Sequence, residues 1–182
     1  MNATSSSIAA LLVLTLTACV APGPDSVKES KQVNAAQESR VSKEASIFLV
    51  EMVDARLMDF QEGKLAAERG TQPAIREYGL LMMRDQTALL AQLNALAAQS
   101  QVTVPTTIGA DKRDGLKNLL EAEGKTFDKR FISSIRIDHE RDVKKFGEAT
   151  KFDDPAVRDF ATAKLPLIES HLEGIRQIDT KN

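Results

Sequence analysis

Residues 71–98 read TQPAIREYGLLMMRDQTALLAQLNALAA, and this stretch decides the fold class. Its large apolar side chains recur every three or four positions, which matches the turn of an α-helix rather than the alternation of a strand. Thr71 and Pro73 stand where a helix cap and an early-turn proline are favoured. The apolar face that results consists of Ile75, Tyr78, Met82, Leu89, Leu93 and Leu96. We therefore predict a long amphipathic helix that buries this face against other helices.

Three further stretches show the same spacing, and none alternates with a period of two for long enough to require a strand. The predicted long helices are 43–69, ended by Gly70, then 71–98, 125–151 and a fourth that begins at Asp154-Pro155. A short helix from Asp111, ended by Gly124, lies in the connection between the second and third. The sequence therefore predicts an all-α domain over residues 43–182, a four-helix bundle with a short extra helix in the crossover between helices 2 and 3.

The N-terminus has the features of a bacterial lipoprotein signal. Residues 8–16 form an apolar run that is too short to span a membrane and is typical of the core of a secretory signal. The run leads to Leu16-Thr17-Ala18-Cys19, which resembles a lipobox, and Cys19 is the single cysteine of the chain. We predict a signal peptide at 1–18 and lipidation of Cys19. The alternative is an incidental cysteine in an ordinary signal.

The residues around this motif refine the prediction. Residues 1–7 carry no Lys or Arg, although secretory signals usually begin with positive charge. Val20 follows the cysteine, which is typical of lipoproteins sorted to the outer membrane, where acyl chains such as palmitate would anchor the protein facing the periplasm. Residues 19–42 are rich in Pro, Ser, Gln, Lys and Glu and are predicted to form a flexible tether. Its last part alternatively extends the first helix.

The composition excludes several classes of function. Lys and Arg number 24 against 26 Asp and Glu, so the net charge of −2 lacks the basic excess of nucleic-acid-binding proteins. Aromatic residues make up 4% of the chain and there is no Trp, which leaves no platform for stacking bases. The sequence has no nucleophile elbow and no phosphate-binding glycine loop. We therefore predict no catalytic residues.

Polar side chains interrupt the apolar faces of the predicted helices. His139 and His171 each continue such a face, and Gln86 does so in the second helix. Asp59 and Glu62 are three residues apart and can share one face of the first helix. Flanking carboxylates are Asp85, Asp138, Asp142 and Glu169.

Inward-facing imidazoles and carboxylates from several helices are how helical bundles hold metal ions. The candidate ligands are His139, His171, Asp59, Glu62 and Asp85, and the candidate metals are Fe, Mn or Zn. The alternative is a hydrogen-bonded polar core without metal. The Glu-x-x-His motif of di-iron bundles is absent, because Arg136 and Ile168 stand three residues before the two histidines.

Several short motifs together resemble a bacterial family of unknown function that is labelled "predicted outer membrane protein" and placed in the ferritin-like clan. They are Phe48-Leu49, Gly63-Lys64-Leu65-Ala66, Ile75-Arg76-Glu77-Tyr78, Met83-Arg84-Asp85-Gln86, Phe127-Asp128, Asp138-His139, Phe160-Ala161, Leu165-Pro166 and His171-Leu172. The resemblance covers about residues 45–178 and implies a ferritin-like four-helix bundle in the cell envelope. It implies no activity.

The chain departs from this family at two positions. The family usually has Asp-His where this chain has Asp85-Gln86, and Asp59 stands where a longer acid is usual. An amide is a poor replacement for imidazole on a transition metal. We therefore favour an envelope lipoprotein with a non-enzymatic binding or structural role, whose partners are the membrane and an envelope protein or the cell wall. The alternative is a metal-binding ferritin-like protein.

Overall fold

The computed structural model describes residues 24–179 and contains six helices in that range, with no strand among those residues. The helices are α1 (Ser26–Ala36), α2 (Lys43–Arg69), α3 (Pro73–Gln99), α4 (Ala110–Leu120), α5 (Gly124–Ala149) and α6 (Pro155–Asp179). The all-α prediction is confirmed. The first three long helices begin and end within two residues of the predicted limits, and α6 begins within one residue of its predicted start. Cys19 and the predicted signal peptide lie outside the described residues.

Two local predictions are wrong in detail. Thr71 is not the cap of α3, which is Gln72. The Thr71 backbone N–H and hydroxyl instead donate to the carboxylate of Asp128, which ties the turn between α2 and α3 to α5. Gly124 does not end the short helix, because α4 already stops at Leu120 and Gly124 begins α5 with a positive φ of 54°.

The flexible tether predicted for residues 19–42 is wrong for residues 26–36, which form α1. The Asp25 carboxylate accepts from the backbone N–H of Val27 and caps this helix. The Asn34 side chain exchanges two hydrogen bonds of 2.8 Å with the backbone of Thr103 in the loop that follows α3. Polar contacts thus hold α1 in place, and a composition rule that counts only apolar residues does not detect them.

The long helices pack as two antiparallel pairs, α2 with α3 and α5 with α6, and the pairs meet through α2–α5 and α3–α6 contacts. The first pair is unusually close at two glycines. A Cβ on Gly79 would lie 2.5 Å from the Gly63 carbonyl oxygen, and one on Gly63 would lie 2.9 Å from the Met82 Cβ. This close approach fixes the register of α2 against α3.

Two apolar clusters fill the interior between the long helices. One contains Leu49, Val53, Leu89, Leu93, Phe146 and Ile168, and the other contains Ile75, Met82, Phe127, Phe131, Ile135 and Ile175. On each long helix, the buried polar residues other than Ser46 and Asp128 lie between the stretches that contribute to the two clusters. A polar layer therefore separates the two halves of the core. No helix in residues 24–179 is long and apolar enough to cross a membrane.

Candidate metal centre

The polar layer receives side chains from all four long helices. Its most deeply buried members, each no more than 1% exposed, are Arg56, Asp59 and Glu62 on α2, Gln86 on α3, His139 on α5 and His171 on α6. Buried polar groups in proteins are nearly always hydrogen-bonded. Seven atoms of these residues have no hydrogen-bond partner within residues 24–179: Arg56 Nε and Nη1, Asp59 Oδ2, Glu62 Oε2, Gln86 Oε1, His139 Nε2 and His171 Nδ1.

The two imidazole rings lie edge to face at the centre of this layer. Their centroids are 5.6 Å apart, with 69° between the ring planes. Two imidazoles that bind one tetrahedral metal at about 2.0–2.1 Å have their centroids about 5 Å apart. The observed separation is slightly longer than this and also falls in the usual range for two packed aromatic rings.

Each imidazole is held by one nitrogen. His139 Nδ1 lies 3.0 Å from the backbone oxygen of Ile135, which can only accept, so Nδ1 carries the hydrogen. His171 Nε2 lies 2.9 Å from Asp85 Oδ2 and donates to this carboxylate. The second nitrogen of each ring, Nε2 of His139 and Nδ1 of His171, consequently offers a lone pair. This is the usual arrangement of metal-binding histidines.

Both histidines are neutral at pH 7. Burial, assisted by the nearby charge of Arg56, lowers the pKa of His139 to about 4. Burial also lowers the pKa of His171, although the hydrogen bond to Asp85 opposes the shift. The carboxylate of Asp85 itself remains ionised, since its hydrogen bonds with Arg84 and His171 outweigh its partial burial and lower its pKa. Neutral imidazole is the form that binds metals.

Carboxylates from α2 and α5 form a second group in the layer. Ligand atoms of Asp59, Glu62 and Asp138 all lie within 4.8 Å of one another. The Ser134 hydroxyl donates to Glu62 Oε1 at 2.6 Å, which leaves Oε2 unpartnered among the described residues. Burial raises the pKa of Asp59 and raises that of Glu62 to about 8. Glu62 therefore holds a proton at pH 7, which a cation could displace.

Arg56 brings a fixed positive charge to the same carboxylates. Its Nη2 donates to Asp142 on α5 and lies 2.8 Å from Asp59 Oδ2, without the geometry of a hydrogen bond to the latter. Arg56 is fully buried, so the guanidinium and the two carboxylates form an ion triad shielded from water. A triad of this kind is costly to form, because all three charges lose their hydration.

Gln86 occupies the α3 position of the layer. Gly63 of α2 faces Met82 of α3, and one turn further along this antiparallel pair Asp59 and Gln86 come level with each other. The Gln86 amide nitrogen is 3.9 Å from Met82 Sδ, and its Oε1 has no hydrogen-bond partner in the described part of the chain. The oxygen is thus a weak but available ligand.

A cavity of about 400 Å³ leads from the surface towards the carboxylate group. Its polar lining includes Asp54, Ser134, Asp138 and Asp142, and Gly115 of α4 contributes to its rim. The Asp54 carboxylate accepts the backbone N–H of Gly109 at 2.7 Å and so fixes the start of α4 beside the opening. The cavity offers a path by which a hydrated cation could reach Asp138.

All five predicted ligands fall in or beside the polar layer, in two subsets. His139 and His171 face each other with Asp85 behind His171, while Asp59 and Glu62 meet on the carboxylate side. Asp85 therefore holds a ligand rather than presenting its own free oxygen. The sequence-based prediction named Asp138 only as a flanking residue. Its position directly before His139 was the signal that could have identified it as part of the carboxylate group. The prediction missed Arg56, although this arginine stands one turn before Asp59 on the same face.

Comparison with known proteins assigns the family. The model of the family described as "Domain of unknown function (DUF4142)" matches residues 30–178, so the chain belongs to this family. The resemblance to a family of unknown function is thereby confirmed. Among solved structures, the chain is similar to the crystal structure of a DUF305 fragment from Deinococcus radiodurans, with a TM-score of 0.69 and 12% identity. The similarity covers 78% of this chain and 99% of that one.

At this level of identity, the DUF305 structure supports the helical fold and nothing further. No curated protein matches the chain significantly. The family match begins at residue 30, inside α1, and so starts before residue 43, where the predicted domain begins.

Proposed function

We propose that this protein is an envelope lipoprotein whose helical domain binds a transition-metal ion, with Fe, Mn and Zn as candidates. One observation carries the metal-binding part of the proposal. His139 and His171 face each other in a buried layer, and each is held by one nitrogen so that the other is left without a partner. A hydrogen-bonded polar core, the alternative interpretation, would need partners for these two nitrogens, and none lies among the described residues.

The energetics of burial support this interpretation. A buried polar atom without a partner costs about 1–3 kcal/mol relative to a satisfied one. The layer contains such atoms on all four long helices, at Glu62, Gln86, His139 and His171. Each is a nitrogen or an oxygen that can donate a lone pair to a metal. A bound cation would satisfy several of them at once.

The fold is consistent with a ferritin-like four-helix bundle. In this proposal α2, α3, α5 and α6 form the bundle, and α4 lies in the crossover between α3 and α5. Bundles of this class bind metals in their core through side chains that face inward from all four helices. The polar layer of this protein also lies in the core, between the two apolar clusters.

The role is proposed to be binding rather than catalysis. Arg136 and Ile168 occupy the positions that Glu takes in the Glu-x-x-His motifs of di-iron bundles, and Gln86 presents an amide in the layer. Two of the carboxylates that remain, Asp59 and Asp142, are engaged by Arg56. The side chains that remain can hold a metal ion, but they lack the full ligand set of a redox centre.

Metal content tests the proposal directly. Full-length mature protein, purified in detergent, would be loaded with Fe(II), Mn(II) or Zn(II), freed of excess metal and assayed by mass spectrometry. The double variant His139→Leu/His171→Leu should lose the metal and fold at least as well, because it removes two unpartnered buried nitrogens. Glu169→Gln, an exposed carboxylate on α6, is the matched control and should retain the metal. Wild-type protein that retains none of the three metals would refute the proposal.

The envelope location is proposed from the Leu16-Thr17-Ala18-Cys19 motif. Labelled palmitate fed to the producing cells should appear in wild-type protein and in the outer-membrane fraction, and it should be absent from Cys19→Ser. Equal labelling of both proteins, or wild-type protein in the inner membrane, would contradict the anchor or its destination. A partner in the envelope or cell wall would be sought by crosslinking in intact cells.

A further inference from the structure

Arg56 is the one member of the polar layer that repels a metal ion. It is fully buried on α2, among carboxylates that would otherwise attract cations. Its Nη2 contacts Asp59 on its own helix and Asp142 on α5, so it joins two of the four long helices. Asp59 is also grouped with Glu62 and Asp138, so the contact with Arg56 connects Asp142 to three further acids.

Such a group of acids is what a pair of metal ions requires. Two-metal sites hold their ions about 3.5–4 Å apart between shared carboxylates, and each divalent ion needs negative ligands to offset its charge. The carboxylates of Asp59 and Asp142, one from each helix, could supply them to a second ion. Both already contact the same guanidinium nitrogen, so Arg56 occupies the place between them.

We propose that Arg56 limits this site to one metal ion, by acting as a built-in cation between Asp59 and Asp142 where a second ion would bind. This inference rests on the proposed metal-binding function. The single ion then has the unpartnered nitrogens of His139 and His171 as its ligands, while Arg56 keeps its contacts with Asp59 and Asp142. A second divalent ion is excluded because its ligands are taken and the guanidinium repels it.

The test is the number of metal ions bound by variants of Arg56. Arg56→Gln removes the charge, while Arg56→Lys keeps a cation at the same position. With Mn(II), native mass spectrometry should count one ion in wild type, one in Arg56→Lys and two in Arg56→Gln. Electron paramagnetic resonance should show a coupled Mn(II) pair in Arg56→Gln and an isolated Mn(II) ion in the other two.

Arg56→Gln could fail to fold, because removal of one partner from a buried ion pair is strongly destabilising. A further variant keeps the inference testable in that case. The double variant Arg56→Gln/Asp142→Asn restores the charge balance and removes a carboxylate, so it should fold and bind one ion. If Arg56→Gln is unfolded without metal, two equivalents of Mn(II) should restore its helical circular dichroism. Failure of this rescue, while the double variant folds, would overturn the inference.

The outcomes separate this inference from the proposed function. One ion in both wild type and Arg56→Gln refutes the role of Arg56 and leaves metal binding in place. Two ions in wild type do the same. If neither the wild-type protein nor any variant binds an ion, both the metal-binding function and the inference that rests on it are refuted.

Discussion

Burial changes the protonation of the residues in the polar layer in opposite directions. It raises the pKa of Glu62 to about 8 and lowers that of His139 to about 4. Both residues are consequently neutral at pH 7, so the layer avoids part of the cost of burying charge. Arg56 keeps its charge, and its partners Asp59 and Asp142 offset it.

The first prediction concerns the pH dependence of stability without metal. The native state holds a proton on Glu62 between its ordinary pKa of 4.5 and its raised pKa of about 8. The unfolded chain has lost that proton, so the contribution of Glu62 to the free energy of unfolding falls as pH rises through this window. In Glu62→Gln the fall should be smaller. Urea unfolding at pH 5, 6, 7 and 8 measures the difference.

Contributions from the histidines cancel in this comparison, because both proteins contain them. Groups near Glu62 that also act on its pKa are Ser134, Asp59, Asp138 and Lys112. Ser134→Ala, which removes the hydroxyl that donates to Glu62, is the complementary variant and should steepen the fall. Parallel profiles for wild type and Glu62→Gln would show that Glu62 is ionised at neutral pH in the native state.

The second prediction concerns Asp85, which holds His171 through its outer nitrogen. Loss of a carboxylate behind a metal-binding histidine typically lowers metal affinity by about 10–100-fold. Asp85→Ala should therefore weaken Zn(II) binding by this factor in competition with a chromophoric chelator. Arg84→Gln removes the other hydrogen bond of Asp85 and leaves His171 in place. Its affinity should stay within a few-fold of wild type, and equal losses in both variants would contradict the assigned role.

At the scale of helices, the contact between α2 and α3 depends on the absence of side chains. A Cβ at position 79 would lie 2.5 Å from the Gly63 carbonyl oxygen and 2.6 Å from the Ala67 backbone nitrogen. Neither atom can move without displacing α2. The same contact sets the register that brings Asp59 and Gln86 to one level.

The third prediction follows from this contact. Gly79→Ala should destabilise the protein by about 2–3 kcal/mol or more, because overpacking forces the two backbones apart. Gly147→Ala is the control, since a Cβ there meets nothing within 4 Å. It should be neutral or stabilising by up to about 1 kcal/mol, as alanine favours helix. Thermal and urea unfolding of both variants give the comparison. A stable Gly79→Ala would show that the helices are further apart than described.

The fourth prediction concerns α1, which the Asn34 side chain connects to the loop after α3. Asn34→Ala removes both hydrogen bonds with Thr103. Hydrogen exchange should then become faster in α1 and in residues 100–109, with little change in α5. Asn118→Ala, an exposed asparagine on α4, should leave exchange in α1 as in wild type. Unchanged exchange in Asn34→Ala would mean that the remaining contacts, such as Lys31 with Glu51 and Thr106 with Ser26, suffice to hold α1.

At the scale of the whole molecule, the polar layer divides one core into two halves. The apolar clusters on either side supply the hydrophobic stabilisation, and the layer between them reduces it through its unpartnered atoms. A metal ion bound by His139 and His171 would therefore stabilise the domain, because it joins α5 to α6 and satisfies two unpartnered buried nitrogens.

The fifth prediction measures that effect. A ligand at a hundredfold excess over its dissociation constant stabilises the native state by about 2.7 kcal/mol, which corresponds to about 5–10 °C in Tm for a domain of this size. Wild-type protein should show such a shift with Zn(II) or Mn(II). His139→Leu/His171→Leu should show none, and a shift of equal size in this variant would place the metal elsewhere.

The position of α1 also shortens the connection to the proposed anchor. Seven residue steps separate Cys19 from Ser26, the first residue of α1, and they span at most about 25 Å. In the lipidated protein the domain would thus stay close to the membrane surface. The sequence had predicted a longer tether, because it counted residues 26–36 as flexible.

The sequence by itself determined the features that depend on local order: the all-helical class, the limits of the first three long helices, the start of the fourth, and the presence of a short helix between the second and third. Apolar residues at helical spacing, proline at helix starts and Gly70 after α2 are local signals, and they suffice because each helix must bury one face. The same pattern identified His139 and His171 as inward-facing. It also placed Asp59 and Glu62 on a shared face.

Only the tertiary structure decided which of these side chains meet. The pairing of His139 with His171, the contact of Asp85 with His171 and the triad of Arg56 depend on the register between helices far apart in sequence. Glycines 63 and 79 help to set that register through a backbone contact that no periodicity reveals. The folding of α1 was decided in the same way, by hydrogen bonds to a loop about 70 residues away. Long-range geometry of this kind is absent from local sequence patterns.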